Sequence, residues 1–251
     1  MQAARLPAPL RHDVLRRLGA PSVLDPTGFP WDLATLQPTL DLDAIAPECE
    51  SLWARADGGP LDYPSGQIAV PKWAFLEYLV ERRGLLLHGS RTPGIDVLHP
   101  VSRSGGGTRV SDQPGVFAVD HALMAMYFGV VDRSSVPHLS NSLVELTGPD
   151  GTPVRGLRLG TDFVALAGRP FVDATVYVLP PGTFSKLGEW TSLVPVRPLA
   201  SLAVAPEDFP LLEELWGTDL GPLASQFTDE HPGLQDVAFW ATKRSARSAQ
   251  L

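Results

Sequence analysis

The side chains with chemical potential in this chain are few and far apart. Leu86-Leu-His-Gly-Ser-Arg-Thr leaves His88 at the end of an apolar run, followed at once by Gly89, Ser90 and Arg91. A glycine lets backbone N–H and C=O groups approach a ligand closely, and polar side chains on either side orient it. A second acid-bearing stretch, Glu189-Trp-Thr-Ser, reads in isolation as an acid at a strand edge beside a core aromatic. His88, Asp96, His99, Asp120 and His121 lack an i,i+4 pair or other ligand spacing, so no metal site is expected. Cys49 is the only cysteine, which excludes a disulfide framework and a cysteine-rich zinc site. G-x-x-x-x-G-K-[ST], G-x-S-x-G and H-E-x-x-H are all missing from the sequence. Gly105-Gly106-Gly107 does not join a strand to a helix, so it reads as a surface loop or a lid and not as a phosphate cradle.

The elements that position these groups must come from a chain rich in breaks. The 251 residues include 23 Gly and 25 Pro, spread without a period, which implies many turns and short elements. Lys and Arg number 20 against 28 Asp and Glu, giving a net charge of −8, and this disfavours nucleic acid as a partner. No apolar run reaches the roughly 18 residues a membrane helix needs, and the arginines near the N-terminus flank no apolar signal core. These features together predict a soluble protein of a reducing compartment, the cytoplasm, long enough to bury about 70% of its unfolded surface.

Residues 8–18 have the spacing of a short amphipathic helix, and 42–56 of one or two more. The strongest helix signal is Pro71-Lys-Trp-Ala-Phe-Leu-Glu-Tyr-Leu-Val-Glu-Arg-Arg. Pro71 stands in its first turn, Arg82 and Arg83 suit the negative end of the dipole, and Gly84 suits the C-cap. Its aromatic cluster of Trp73, Phe75, Tyr78 and Leu79 reads as core. A buried strand follows over 85–90 and another over 116–119, then a helix over 121–130. Further strands are predicted at 142–147, 155–160, 162–167, 171–179 and 196–204, and helices over 206–216 and within 232–244. Strands with peripheral helices make an α+β fold.

Three segments together resemble the ADP-ribosyltransferase superfamily, in its poly(ADP-ribose) polymerase-like branch. Gly84-Leu-Leu-Leu-His-Gly-Ser-Arg-Thr is similar to the strand carrying that family's His-Gly-Ser motif. Gly115-Val-Phe-Ala-Val-Asp-His-Ala-Leu-Met-Ala-Met-Tyr-Phe is similar to its second block, a strand leading into a helix. Gly188-Glu-Trp-Thr-Ser-Leu-Val-Pro-Val is similar to its third, where an acid opens a strand. The blocks follow in the family's order and span roughly residues 84–200.

The resemblance implies that NAD is a co-substrate and that no metal takes part. His88 would bond a ribose hydroxyl, the backbone of Gly89 would read the nicotinamide carboxamide, and Ser90 and Arg91 would support the pocket. Phe117 stands where the family has a tyrosine beside the nicotinamide, Tyr127 or Phe128 would supply the second aromatic wall, and Glu189 would be the catalytic acid. Ala125 replaces a serine common in the family, so one polar contact is lost there, as is the hydroxyl at Phe117.

The fold this implies is an ADP-ribosyltransferase-like split mixed or antiparallel sheet with peripheral helices. Residues 67–215 would form that domain, with a Pro-rich segment 1–66 packing on its core and a C-terminal helix and tail over 216–251. The implied activity is transfer of a single ADP-ribose unit from NAD to an unknown macromolecular or small-molecule acceptor, with no membrane partner. The alternatives on the same fold are an NAD glycohydrolase, an RNA 2′-phosphotransferase-like enzyme and an inactive nucleotide- or protein-binding module.

Overall fold

A computed structural model describes residues 31–36, 38, 40–64, 66–102, 114–134, 139–147, 153–161, 171–187 and 189–212. The chain divides into two compact units. One comprises Met1–Thr39, Arg133–Pro170 and Leu211–Leu251, the other Leu40–Asp132 and Phe171–Pro210. The described residues are α+β, with antiparallel sheets and three α-helices.

In the first unit β1 (Trp31–Leu36), β4 (Leu139–Thr147) and β5 (Pro153–Thr161) form an antiparallel sheet in the order β1-β5-β4. Leu157 and Leu159, two apart on β5, are both fully buried, as alternation on a pleated strand requires. The strands expected at 142–147 and 155–160 are thus present, the first longer at its start and the second at both ends. No strand is read from the sequence for 31–36.

The second unit opens with α1 (Leu42–Trp53), whose first turn is capped by the Asp41 carboxylate accepting from the backbone of Asp43 and Ala44. α2 (Lys72–Arg83) ends where Gly84 turns left-handed, with φ of 61°. Its residues Ala74 to Val80 are all buried, so Phe75, Tyr78 and Leu79 are core, as expected, whereas Trp73 is half-buried. α1 and α2 are tied by Arg82 to Asp43, by Arg83 to Glu50, and by the Tyr78 hydroxyl donating to Glu50 at 2.5 Å. The Tyr78 hydrogen bond and the Arg83 guanidinium hold Glu50 below the usual carboxylate range.

Two three-stranded antiparallel sheets follow. β2 (Leu86–Ser90), β6 (Ala174–Leu179) and β9 (Ala200–Val204) pair in the order β2-β6-β9, and every residue of the central β6 is buried. β3 (Val116–Ala118), β7 (Ser185–Leu187) and β8 (Glu189–Ser192) pair in the order β3-β8-β7. Leu86, Tyr177 and Leu179 of the first sheet share one core cluster with Val116 and Ala118 of the second, and Trp190 packs against it. The sheets meet along their edges where Leu87 and Val119 exchange backbone hydrogen bonds of 2.9 Å.

α3 (Ala122–Val130) lies on β2 and β6 and is buried nearly all round. The buried Glu77 of α2 accepts from the backbone of Ala122 at 2.9 Å, occupying the open N-terminus of α3. Val131, just beyond the helix, bridges to Phe171, so the chain leaves this unit and re-enters it at adjacent points.

Some expected elements are shorter than the sequence suggests. The strand over 171–179 begins at Ala174, and that over 196–204 begins at Ala200. Of the helix expected over 206–216, residues 206–211 instead form a 3-10 turn, Pro206–Asp208, and a further turn, residue 212 is helical, and 213–216 lie outside the described residues. Pro210 is the reason: a proline disfavours helical geometry in the residue before it, and Phe209 is accordingly extended, with ψ of 108°. The helices expected at 8–18 and 232–244, the strand at 162–167, the loop around Gly105 and the segment 216–251 lie outside the described residues.

Candidate functional site

Backbone register brings the three sequence blocks to one place. The Leu87–Val119 bridge puts His88 one residue past the junction of β2 with the β3 segment. On the far side of β3, Phe117 pairs with Thr191 and Ala118 with Trp190, so Glu189 is the next residue along β8. Since alternate residues share a face, Phe117 and Glu189 lie on the same side of the β3–β8 pair, diagonal to each other. The result is a cleft of about 50 Å³ lined by Leu87, His88 and Gly89 from β2, Phe117, Ala118 and Val119 from β3, Phe128 from α3, and Glu189.

His88 is fixed from two sides. Its Nδ1 lies 2.7 Å from the carbonyl oxygen of Phe117. A carbonyl can only accept, so Nδ1 carries the proton and a neutral ring keeps its lone pair on Nε2. Tyr177, its cross-strand neighbour on β6, stands behind it with ring centroids 6.5 Å apart. The Tyr177 hydroxyl donates to the carbonyl of Thr92 at 2.7 Å and accepts from the backbone of Ile95 at 3.0 Å. It therefore ties the segment leaving β2 to the middle of the sheet. The sequence alone does not point to Tyr177; its signal, a lone tyrosine in an otherwise aliphatic strand, is weak.

Gly89 is required by packing as well as by the cleft. A Cβ there would stand 2.0 Å from the carbonyl oxygen of Ala125 and 2.7 Å from the nitrogen of Gly129. The absent side chain lets α3 rest directly on β2, and this contact carries Phe128 to the cleft wall. Ala125 is buried at that interface.

The remaining sequence candidates are placed as follows. Ser90, half-buried, accepts from the Thr92 backbone through its hydroxyl at 3.1 Å. Arg91 is exposed and pairs with Asp132, two residues past α3. Neither lines the cleft. Of the two aromatics offered by α3, Phe128 lines it, whereas Tyr127 is fully buried, its ring centroid 6.3 Å from that of Phe209.

Beside the cleft, Lys186 of β7 donates to Asp120 at 2.8 Å and lies 5.3 Å from the centre of the Trp190 ring. Burial raises the pKa of Asp120, but the hydrogen bond and positive charge of Lys186 oppose it, and the carboxyl is held below its ordinary value. Cys49 is fully buried, and burial together with Glu48 and Glu50 pushes its thiol up to about 12, so it supplies no thiolate. Among the described residues no three His, Cys, Asp or Glu side chains lie grouped to hold a metal, and no helix is long and apolar enough to cross a membrane.

The cleft thus offers one carboxylate, one imidazole with a defined tautomer, two aromatic rings and the backbone of a glycine. A carboxylate beside ring faces favours a flat group carrying positive charge, or one that develops it during reaction. No protein-family model, no curated protein and no solved structure matches the chain.

Proposed function

We propose that the chain is an NAD-dependent mono-ADP-ribosyltransferase, with a fold of the ADP-ribosyltransferase type. What carries the reading is the convergence of His88, Phe117 and Glu189, from three distant segments, on one cleft. The same segments carry the resemblance in the sequence, and each is similar to a block that family devotes to NAD. The chemistry of the cleft agrees with this: the pyridinium of NAD is a flat cationic ring, matched by aromatic faces and a carboxylate.

In this reading the nicotinamide ring lies against Phe117 and Phe128, and the Gly89 backbone meets its carboxamide. His88 bonds a ribose hydroxyl with its second nitrogen, since the first is engaged by Phe117. The bond between the ribose C1′ and the ring nitrogen breaks, its electron pair neutralises the ring, and positive charge develops on the ribose. The Glu189 carboxylate stabilises that charge more than the ground state, as in glycoside cleavage. The acceptor attacks C1′ and gives its proton to Glu189. With water as acceptor the same steps give an NAD glycohydrolase.

Phe128 is half-buried at the cleft, and Glu189 is exposed.

The test is incubation of the purified chain with NAD, following nicotinamide, beside Glu189→Ala. Release by the wild type falling about 10²-fold or more in the variant supports the reading. A chain that neither cleaves NAD nor binds it by calorimetry sinks it.

A further inference from the structure

The strand pairing that locates Glu189 is incomplete. The β3–β8 ladder ends at Ala118 with Trp190, one residue short of the acid. On its other side Glu189 pairs back to Leu187, so it stands at the tip of the tight β7–β8 hairpin. Beyond the end of that ladder, Lys186 Nζ reaches the Asp120 carboxylate at 2.8 Å. Asp120 directly follows Val119, a residue of the cleft wall. The same ammonium lies over the ring of Trp190, the immediate neighbour of Glu189, which is itself packed on the inter-sheet core. One cation therefore joins the exit of β3, the strand β7 and the residue next to the acid.

We infer that Lys186 and Asp120 form a clip that holds Glu189 at the cleft, acting as positioning residues and not as catalytic ones. This rests on the reading of Glu189 as the carboxylate of an NAD-cleaving enzyme. The pair is largely exposed, at 57% and 38%, so it adds little to global stability. Its effect is on placement: an error of about 1 Å in a catalytic group can cost up to about 100-fold in rate.

The test uses the full chain with Lys186→Ala, Asp120→Asn and Lys186→Arg. Nicotinamide release by the first two falls about tenfold in kcat, with KM for NAD within about twofold, and Lys186→Arg recovers most of the loss. In a Glu189→Gln background, Lys186→Ala lowers the residual rate no further. Amide exchange over residues 185–192 is faster in Lys186→Ala, while that of β6 is unchanged. Wild-type kcat and exchange in Lys186→Ala overturn the clip, as does a rate loss that persists undiminished without the Glu189 carboxylate. If the wild type releases no nicotinamide, the NAD reading itself fails only where NAD binding is absent too, and exchange alone decides the clip. Faster exchange confined to 185–192 then upholds it, and unchanged exchange overturns it.

Discussion

The imidazole of His88 is anchored through Nδ1 to the backbone oxygen of Phe117, 2.7 Å away and 29 positions later in the chain. One bond thus joins two of the three blocks that make the cleft and sets the tautomer of a neutral ring. His88→Asn can keep the donor to Phe117 but has no second ring nitrogen. It should raise KM for NAD about tenfold, the cost of one hydrogen bond, with thermal stability close to wild type. His88→Ala removes both contacts and should lower the melting temperature as well. An unchanged KM in His88→Asn would mean that the ring only braces β3.

Gly89→Ala is expected to be far worse than its size suggests. The added carbon meets backbone at 2.0 Å, which no rotamer can relieve, so α3 must shift off β2. A loss of about 3 kcal/mol or more is expected. Gly182→Ala, where nothing lies within 4 Å, serves as the control and should be nearly neutral. Calorimetric melting of both distinguishes a packing glycine from one that merely faces a ligand.

Arg91 is engaged by Asp132. An anionic substrate group that reaches Arg91 must displace that carboxylate. Asp132→Asn should therefore tighten NAD binding about three- to fivefold and steepen its salt dependence, whereas Arg91→Ala weakens binding. Equal affinity in wild type and Asp132→Asn, read by calorimetry, would show that Arg91 stays with its partner and plays no part in binding.

Asp120 gives a pH signature. Its folded pKa is depressed, so the stability it confers is present above its ordinary value of 3.8 and is lost as pH falls through the lower folded value. Asp120→Asn should melt about one degree below wild type near neutrality, and the gap should begin to close below about pH 4. A gap that is the same at pH 6 and pH 3 would deny the Asp120 carboxylate its role in the clip.

Much of the second unit is legible in local chemistry. Pro71, the paired arginines and Gly84 delimit α2 to within a residue. An apolar run stopping at His88-Gly89 marks β2, and the Glu189 that the resemblance sets at the start of a strand is the first residue of β8. What stays hidden depends on partners distant in sequence. β1 lies in a segment broken by proline and glycine, and its pairing with β5 is set more than a hundred residues away. The choice between Tyr127 and Phe128 cannot be read from periodicity, because α3 is apolar on every side and has no preferred face. The need for glycine at 89 invites a ligand explanation from sequence alone, yet the closest atom to the missing side chain belongs to Ala125. The links from Tyr177 to Thr92 and from Lys186 to Asp120 join ordinary residues that only the completed sheets bring together.

The bridge between Val131 and Phe171 has a consequence for how this architecture can vary. Around the segment 133–170 the chain departs from and returns to the cleft-bearing unit at one hydrogen-bonded doorway, where Val172 donates to Val130 at 2.9 Å. The segment between those points must bring its ends together, and its strand β5 must also pair with β1. Closure entropy grows slowly with loop length, so residues added to its connections outside the β1-β5-β4 sheet come at small thermodynamic cost. The strands that carry His88, Phe117 and Glu189 are undisturbed by such changes.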